Sequence, residues 1–396
     1  MPLNDFKNID VAVGPSEGPM ARILVAGDLY PGGRAEPLLS GDKSESIFDD
    51  LRDVFSQHDL RICDLECPLT KINEPIVKTG PHLRADPKCA HGIKKAGFDI
   101  VTLANNHILD MGPTGLKDTI DACGNAGLLT IGAGLNAKEA SRPAIVTKNK
   151  IKIAIMSITE HEFSIADMTN AGASSYNIID NTINIIDLKK EVDFILLIIH
   201  GGNEYYPLPS PERLKAYHFL ADMGANAIIS HHIHVPGGYE IYNQIPIVYG
   251  TGNFLYEIPD SKPLNWEKGY LISMDIAPKR VLRMRIIPYV QFNGTSTINI
   301  MRDQEAETFL SEIKSLSDKI KQPGMLNMEW AEFCRSYRNQ YVSFLLNLSP
   351  IERKLLHFGI WPFWRLRKKK LHLLLNLIQC ESHRELLLSI LKRDVD

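Results

Sequence analysis

At 396 residues the chain is long enough for one large domain with an appendage, or for two domains. With 44% hydrophobic and 23% charged residues it has the composition of an ordinary globular protein. Its formal charge of −3 gives no global electrostatic reason to expect nucleic acid or anionic membrane as partner. No apolar run approaches the roughly 18 residues that a membrane-spanning helix needs. Residues 1–20 lack the basic start and apolar core of a secretory signal. Six cysteines are scattered without a CxxC pair, which reads as reduced thiols and a cytoplasmic location.

In chain order, 1–20 reads as a flexible leader, mixing Asp, Lys, Glu, Gly and Pro. From Ala21 to about Ile287, β-type runs alternate with helical stretches, so 21–299 is predicted to be an α/β domain. Five apolar runs in it end abruptly in polar residues. Arg22–Ala26 precedes Gly27-Asp28, Leu60–Cys63 precedes Asp64-Leu65-Glu66, and Asp99–Leu103 precedes Ala104-Asn105-Asn106-His107. Asp193–Ile199 precedes His200, and Asn226–Ile229 precedes Ser230-His231-His232-Ile233-His234. Pro113–Gly124 is predicted to be helical, as is Glu212–Met223, with Ser210-Pro211 at its start and Gly224 at its end. Gly269–Ile276 and Val281–Ile287 flank a short turn and read as a hairpin, so the sheet is not purely parallel. Residues 300–396 read as a helical extension. Gln304–Ile320 and Met328–Leu346 are its first helices, and capping boxes follow at Ser349 and Ser382.

Ligands of open α/β sheets bind beyond the carboxyl ends of strands, so five polar strand ends point to one site. Histidines at 232 and 234 can face one ion if the backbone turns there, and His200 supplies a third imidazole. Asp28, Glu66 and Asn106 add oxygen donors; Asp64 lies two residues before Glu66, and either could bridge two ions or one could cap a helix. Two amides and a histidine at 105–107 are costly to bury without hydrogen bonds or an ion. Asp110, three residues past His107, either orients that ring or is an ordinary acid at a helix start. An oxygen and nitrogen donor set without thiolate suits Mn, Fe, Zn or Mg. Six candidates exceed one tetrahedral site, and two ions ~3.5–4 Å apart would use them.

These segments resemble the CapA family of capsule and poly-γ-glutamate biosynthesis proteins, within the calcineurin-like metallophosphoesterase superfamily. The resembling motifs are Gly27-Asp28, Asp64-Leu65-Glu66-Cys67-Pro68-Leu69-Thr70 and Leu103-Ala104-Asn105-Asn106-His107-Ile108-Leu109-Asp110-Met111-Gly112. His200-Gly201-Gly202-Asn203-Glu204-Tyr205, Ser230–Val235 and Tyr249-Gly250-Thr251-Gly252-Asn253-Phe254 follow in the family's order. The resemblance covers about residues 22–290. It implies a metallophosphatase-like sandwich of two mixed β-sheets flanked by helices, with two divalent metals at the strand ends. By position it implies Asp28, Glu66, Asn106, His200, His232 and His234 as metal ligands, and His107 with Asp110 as the catalytic pair. Arg34, Arg84, Asn105, Glu204 and Asn253 are expected to meet substrate. The chain departs from the family at Gly201, where a tryptophan is common, at Ile233, where a proline is common, and at Gly250-Thr251, where Ser-Leu is common. None of these removes a ligand, but the first changes the pocket wall, so the family's substrate is not carried over.

The implied function is metal-dependent hydrolysis of a phosphoester, or of an amide or γ-glutamyl bond, in an anionic small molecule or polymer. The alternatives are a non-catalytic accessory role beside polymer-synthesis machinery, or a membrane-peripheral binding module. For the last, residues 358–378 place Phe358, Trp361, Phe363 and Trp364 before Arg365-Leu366-Arg367-Lys368-Lys369-Lys370. Leucines at 371, 374 and 375 with Ile378 equally make the buried stripe of an ordinary helix.

Overall fold

Apolar runs with short polar stops build two mixed β-sheets that share one core. The computed structural model describes residues 8–12, 18–41, 44–257, 265–292, 297–345, 348–358, 368–379 and 383. In the first sheet Leu129–Ile131, Ile100–Thr102, Leu60–Leu65, Ala21–Tyr30 and Asn253–Tyr256 run parallel. The predicted hairpin, Lys268–Ala277 with Arg280–Gln291, pairs antiparallel onto Ala21–Tyr30 and carries Ile298–Ile300 on its outer strand. In the second sheet Ile151–Thr159, Phe194–His200, Ala227–His231 and Ile245–Val248 are parallel, with antiparallel edges at Ala144–Lys148 and Tyr239–Tyr242.

Side chains alternate across a strand, and that alternation sorts the cores. Ile23, Val25 and Ile62 of the first sheet meet Ile153, Leu196 and Ile229 of the second. Leu24, Ala26, Cys63 and Leu65 face the other way, onto Val54, Ile93 and Leu116 of the helices Arg52–Ser56, Cys89–Ala96 and Gly112–Ala126. The architecture is therefore the expected sandwich of two mixed sheets flanked by helices. The helix Pro211–Met223 starts where predicted, with the Ser210 side chain accepting from the Arg213 amide. The box at Ser349 caps Pro350–His357 as read, while Ser382 lies outside the described residues.

The domain boundaries fall elsewhere. Ile9–Ala12, inside the expected leader, is a strand paired antiparallel with Arg283–Ile286, and Ile9 and Val11 pack on the inter-sheet core. Ile9, Val11 and Val13 do alternate with Asp10 and Ala12, but so short a run ahead of Gly14-Pro15 reads as part of the leader. The helix Asp303–Ile320, expected in the extension, buries Ala306, Phe309 and Ile313 in that same core. One compact unit accordingly spans Met1–Trp330, and a second spans Ala331–Asp396.

The main unit carries a pH dependence away from any functional residue. His58 is buried, its Nδ1–H donating to the Val54 carbonyl (2.6 Å) and its Nε2 accepting from the Ser273 hydroxyl (2.7 Å). Burial lowers it from 6.5 to about 4. Between those values the unfolded chain binds a proton there and the folded chain does not. The stabilisation is thus complete above pH 6.5 and is lost as pH falls toward about 4, a change of about 3 kcal/mol. Urea titrations of wild type and His58→Gln over this window should show a steeper pH slope for wild type; equal slopes would refute the assignment.

Candidate metal centre

The five polar strand ends converge, three from the first sheet and two from the second. Asp28 lies within its strand, not beyond it, because Asn253–Tyr256 pairs alongside and extends the ladder to Tyr30. The register against Leu60–Leu65 shifts between Val25 and Asp28, and Asp28 and Asp64 then sit side by side as ladder partners. Gly27 at this shift lets the Gly252 carbonyl come so close that a Cβ there would lie 2.0 Å from its oxygen. After Ala227–His231 the chain turns as the two-apart histidines require. His232 (φ 87°) and His234 (φ 58°) both take the left-handed conformation, uncommon for residues with a side chain. The His232 amide donates to Asp28 Oδ2 (3.2 Å), which secures the turn.

All six expected ligands are buried in one cluster. Donor atoms of Asp28, Asp64 and His200 form one group within 4.8 Å, and those of Glu66, His232 and His234 form another. His200 joins the two. Its Nδ1 is 3.0 Å from Asp64 Oδ2, and its Nε2 is 3.1 Å from both Asn106 Oδ1 and His232 Nδ1. Asp64, which the sequence leaves open as a bridging carboxylate or a helix cap, belongs to the cluster beside Glu66. Its register partnership with Asp28 is the signal that separates the two roles, and that register is invisible without the sheet.

Glu66 supplies the test of whether a cation fits. Both its oxygens are buried and accept no hydrogen bond. Yet Oε1 lies 3.7 Å from His234 Nε2, 3.8 Å from His200 Nε2 and 4.0 Å from His107 Nε2. These spacings are too long for hydrogen bonds and lie within two metal–ligand bonds of about 2.1 Å. The donor set fits divalent cations. Without one, burial pushes the Glu66 carboxyl well above its usual range, and Asp28 and Asp64 add to it. Burial also raises Asp28, but the His234 hydrogen bond and the nearby histidines hold its carboxyl below the ordinary value. His232 is driven well down by burial and by its histidine neighbours. Burial would lower His200 too, but Asp64 and then Asp28 raise it.

His107 stands at the edge of this cluster. Its Nδ1 is 2.7 Å from Asp110 Oδ2, and its Nε2 faces Glu66. Asp110 also accepts the Leu83 amide (2.6 Å) and pairs with the buried ammonium of Lys78, which reaches 3.2 Å from His107 Nδ1. Sequence reasoning missed Lys78, which lies in a loop without periodicity 29 residues earlier. It also missed Glu162, which accepts from Asn106 Nδ2 (3.1 Å) and lies 3.9 Å from His232 Nε2.

The residues expected to meet substrate divide. Asn253 Oδ1 holds His234 Nδ1 at 2.9 Å, and Asn105 donates to the Leu65 carbonyl and accepts the His107 amide. Both brace the cluster from inside. Glu204 is exposed, and its charge acts on Glu66. Arg34 is not brought to the cluster: Glu257 takes up its guanidinium, which lies over the Phe292 ring. Arg84 hydrogen-bonds Asn73 at the exposed surface (3.2 Å).

Comparison with known proteins adds a family. The model of the bacterial capsule synthesis protein PGA_cap matches residues 22–257. The capsule biosynthesis protein CapA of Bacillus anthracis is 29% identical over 244 residues, 59% of this chain and 59% of that protein. The PGA biosynthesis protein CapA of Bacillus subtilis is 26% identical over 245 residues, 58% of this chain and 62% of its own length. A probable polyglutamine synthesis accessory protein of Mycobacterium tuberculosis is 27% identical over 256 residues, 58% of this chain and 67% of its own. The matches thus span about three-fifths of the length of these relatives. Among solved structures, a phosphatase of Mycoplasma pneumoniae aligns with TM-score 0.43 and 16% identity over 73% of this chain and 96% of its own. A 5'-nucleotidase of Candida albicans aligns with TM-score 0.41 and 11% identity over 80% of this chain and 57% of its own.

Proposed function

Because the chain belongs to the bacterial capsule synthesis protein PGA_cap family, we propose that it serves capsule or poly-glutamate biosynthesis as a metal-dependent hydrolase. The bond would be a phosphoester, or an amide or γ-glutamyl linkage, in an anionic substrate. One observation carries this reading: the Asp110-held His107 presents Nε2 to the same Glu66 oxygen that two further imidazoles surround.

Asp28, Asp64 and His200 would hold one divalent ion, and Glu66, His232 and His234 a second, with Asn106 Oδ1 beside His200. Bound there, the ions would supply Lewis-acid polarisation of the scissile group and of water. The chain's own residues do the rest. Asp110 accepts Nδ1–H and fixes the ring, so Nε2 is the atom that exchanges a proton with the leaving group. Lys78 pairs with Asp110 beside His107 Nδ1, and Asn253 keeps His234 aimed inward. Burial of every cluster residue keeps bulk water from screening these charges.

The test is hydrolysis of bis-(p-nitrophenyl) phosphate and of a γ-glutamyl anilide by protein purified without chelator, with metal content read by plasma mass spectrometry. His107→Ala should keep close to two metal equivalents and lose on the order of 10²–10⁴ in rate. Metal-loaded wild type that turns over neither compound would favour the accessory role that the mycobacterial relative's name describes.

A further inference from the structure

We infer that the described helices after Trp330 (Pro323–Leu345 from Ala331 on, Pro350–His357 and Lys368–Gln379) form a membrane-surface module that binds anionic lipid. Charge is the first observation. The unit Ala331–Asp396 holds twelve Lys and Arg against six Asp and Glu, a net +6, which leaves residues 1–330 at −9. The near-neutral total conceals a strongly segregated chain.

Apolar exposure is the second observation. Among the described residues of this unit, one buried apolar cluster occurs, Leu348 with Leu356. Along the helix Pro323–Leu345, Phe333, Tyr337, Tyr341 and Phe344 follow one another as a ladder of rings 4.6, 6.4 and 6.2 Å apart. Tyr341 is 60% exposed and Phe344 57%. Ile351, Phe358 and Leu373 are more than half exposed as well. A solvated helix gains nothing from such residues, and a large exposed apolar surface ordinarily marks a contact site.

The two observations select one occupant. Aromatic and leucine side chains insert at the level of lipid headgroups, and a surrounding excess of lysine and arginine complements anionic headgroups. Among the described residues of the unit, seven Lys and Arg, Lys368-Lys369-Lys370 among them, stand against Glu332 and Glu352. No helix among the described residues is long and apolar enough to cross a membrane.

The experiment is co-sedimentation of the full chain with phosphatidylcholine vesicles and with phosphatidylcholine–phosphatidylserine vesicles. Binding is expected to the second and to fall with added salt. Each base near an anionic surface contributes roughly fivefold, so Lys368→Gln/Lys369→Gln/Lys370→Gln should lower partitioning on the order of a hundredfold. Tyr341→Ser/Phe344→Ser, at exposed positions and checked for fold by circular dichroism, should lower it at least about tenfold. Equal binding to both vesicles, or to neither, would overturn the inference. So would self-association, seen by light scattering without vesicle binding and abolished by Tyr341→Ser/Phe344→Ser, since the occupant would then be a second copy.

Discussion

Gly27→Ala is expected to leave little folded protein. The added methyl would sit 2.0 Å from the Gly252 carbonyl oxygen and 2.7 Å from Thr251 Oγ1. The nearer obstacle is main chain and the other is a buried hydroxyl held by His231 Nδ1, so relief requires the chain leading into strand Asn253–Tyr256 to move by about an ångström. That strand is in register with Asp28, and its Asn253 steadies His234, so the displacement would also open the cluster. Overpacking of this kind costs on the order of 3 kcal/mol or more. Gly124→Ala is the matched control. Gly124 lies inside helix Gly112–Ala126, and a Cβ there meets nothing within 4 Å. Alanine should stabilise that helix by about 0.5–1 kcal/mol. Urea midpoints that move in opposite directions would bear this out, and an unchanged midpoint for Gly27→Ala would show that the strand yields freely.

Glu66→Gln should raise the stability of metal-free protein and remove most of what metal adds. In metal-free protein the Glu66 carboxyl is buried without a hydrogen bond and faces the charges of Asp28 and Asp64. A neutral amide relieves that repulsion and lowers the desolvation penalty. With a cation present the preference reverses, because the amide oxygen is a weaker donor with no net charge. Added manganese at about 100 times its dissociation constant should stabilise wild type by about 2.7 kcal/mol and the variant by much less. Thermal melts with and without manganese read both arms. Equal manganese shifts in the two proteins would take Glu66 out of the donor set, independently of any catalytic assay.

The strand ends were legible because they are local. An apolar run stopped by Asp, Asn or His declares both a strand and its polar end within a few residues, as Phe194–His200 does. What escaped depends on pairing across long sequence distances. Asp64 and Glu66 are indistinguishable until the register sets Asp64 beside Asp28. Lys78 has no local pattern, and only the folded loop carries its ammonium to Asp110. Helix Asp303–Ile320 was visible as a helix, but its periodicity says that a face is buried and not against which core. Arg34 errs in the opposite direction: a guanidinium near a predicted site reads as available for an anion until Glu257, 223 residues on, is seen to hold it.

Asp28, Asp64 and Glu66 hang from one sheet, whereas His200, His232 and His234 hang from the other. A cation gripped by all of them is a rivet through the seam of the sandwich. Its grip is then mechanically tied to Ile198, Ile229 and Ile62, apolar side chains along the seam that touch no ion. Shaving a methyl from such a residue loosens the alignment of the two halves, and affinity falls without any change in the donors. Conversely, loading the rivet should slow amide exchange deep in the seam as well as at its rim.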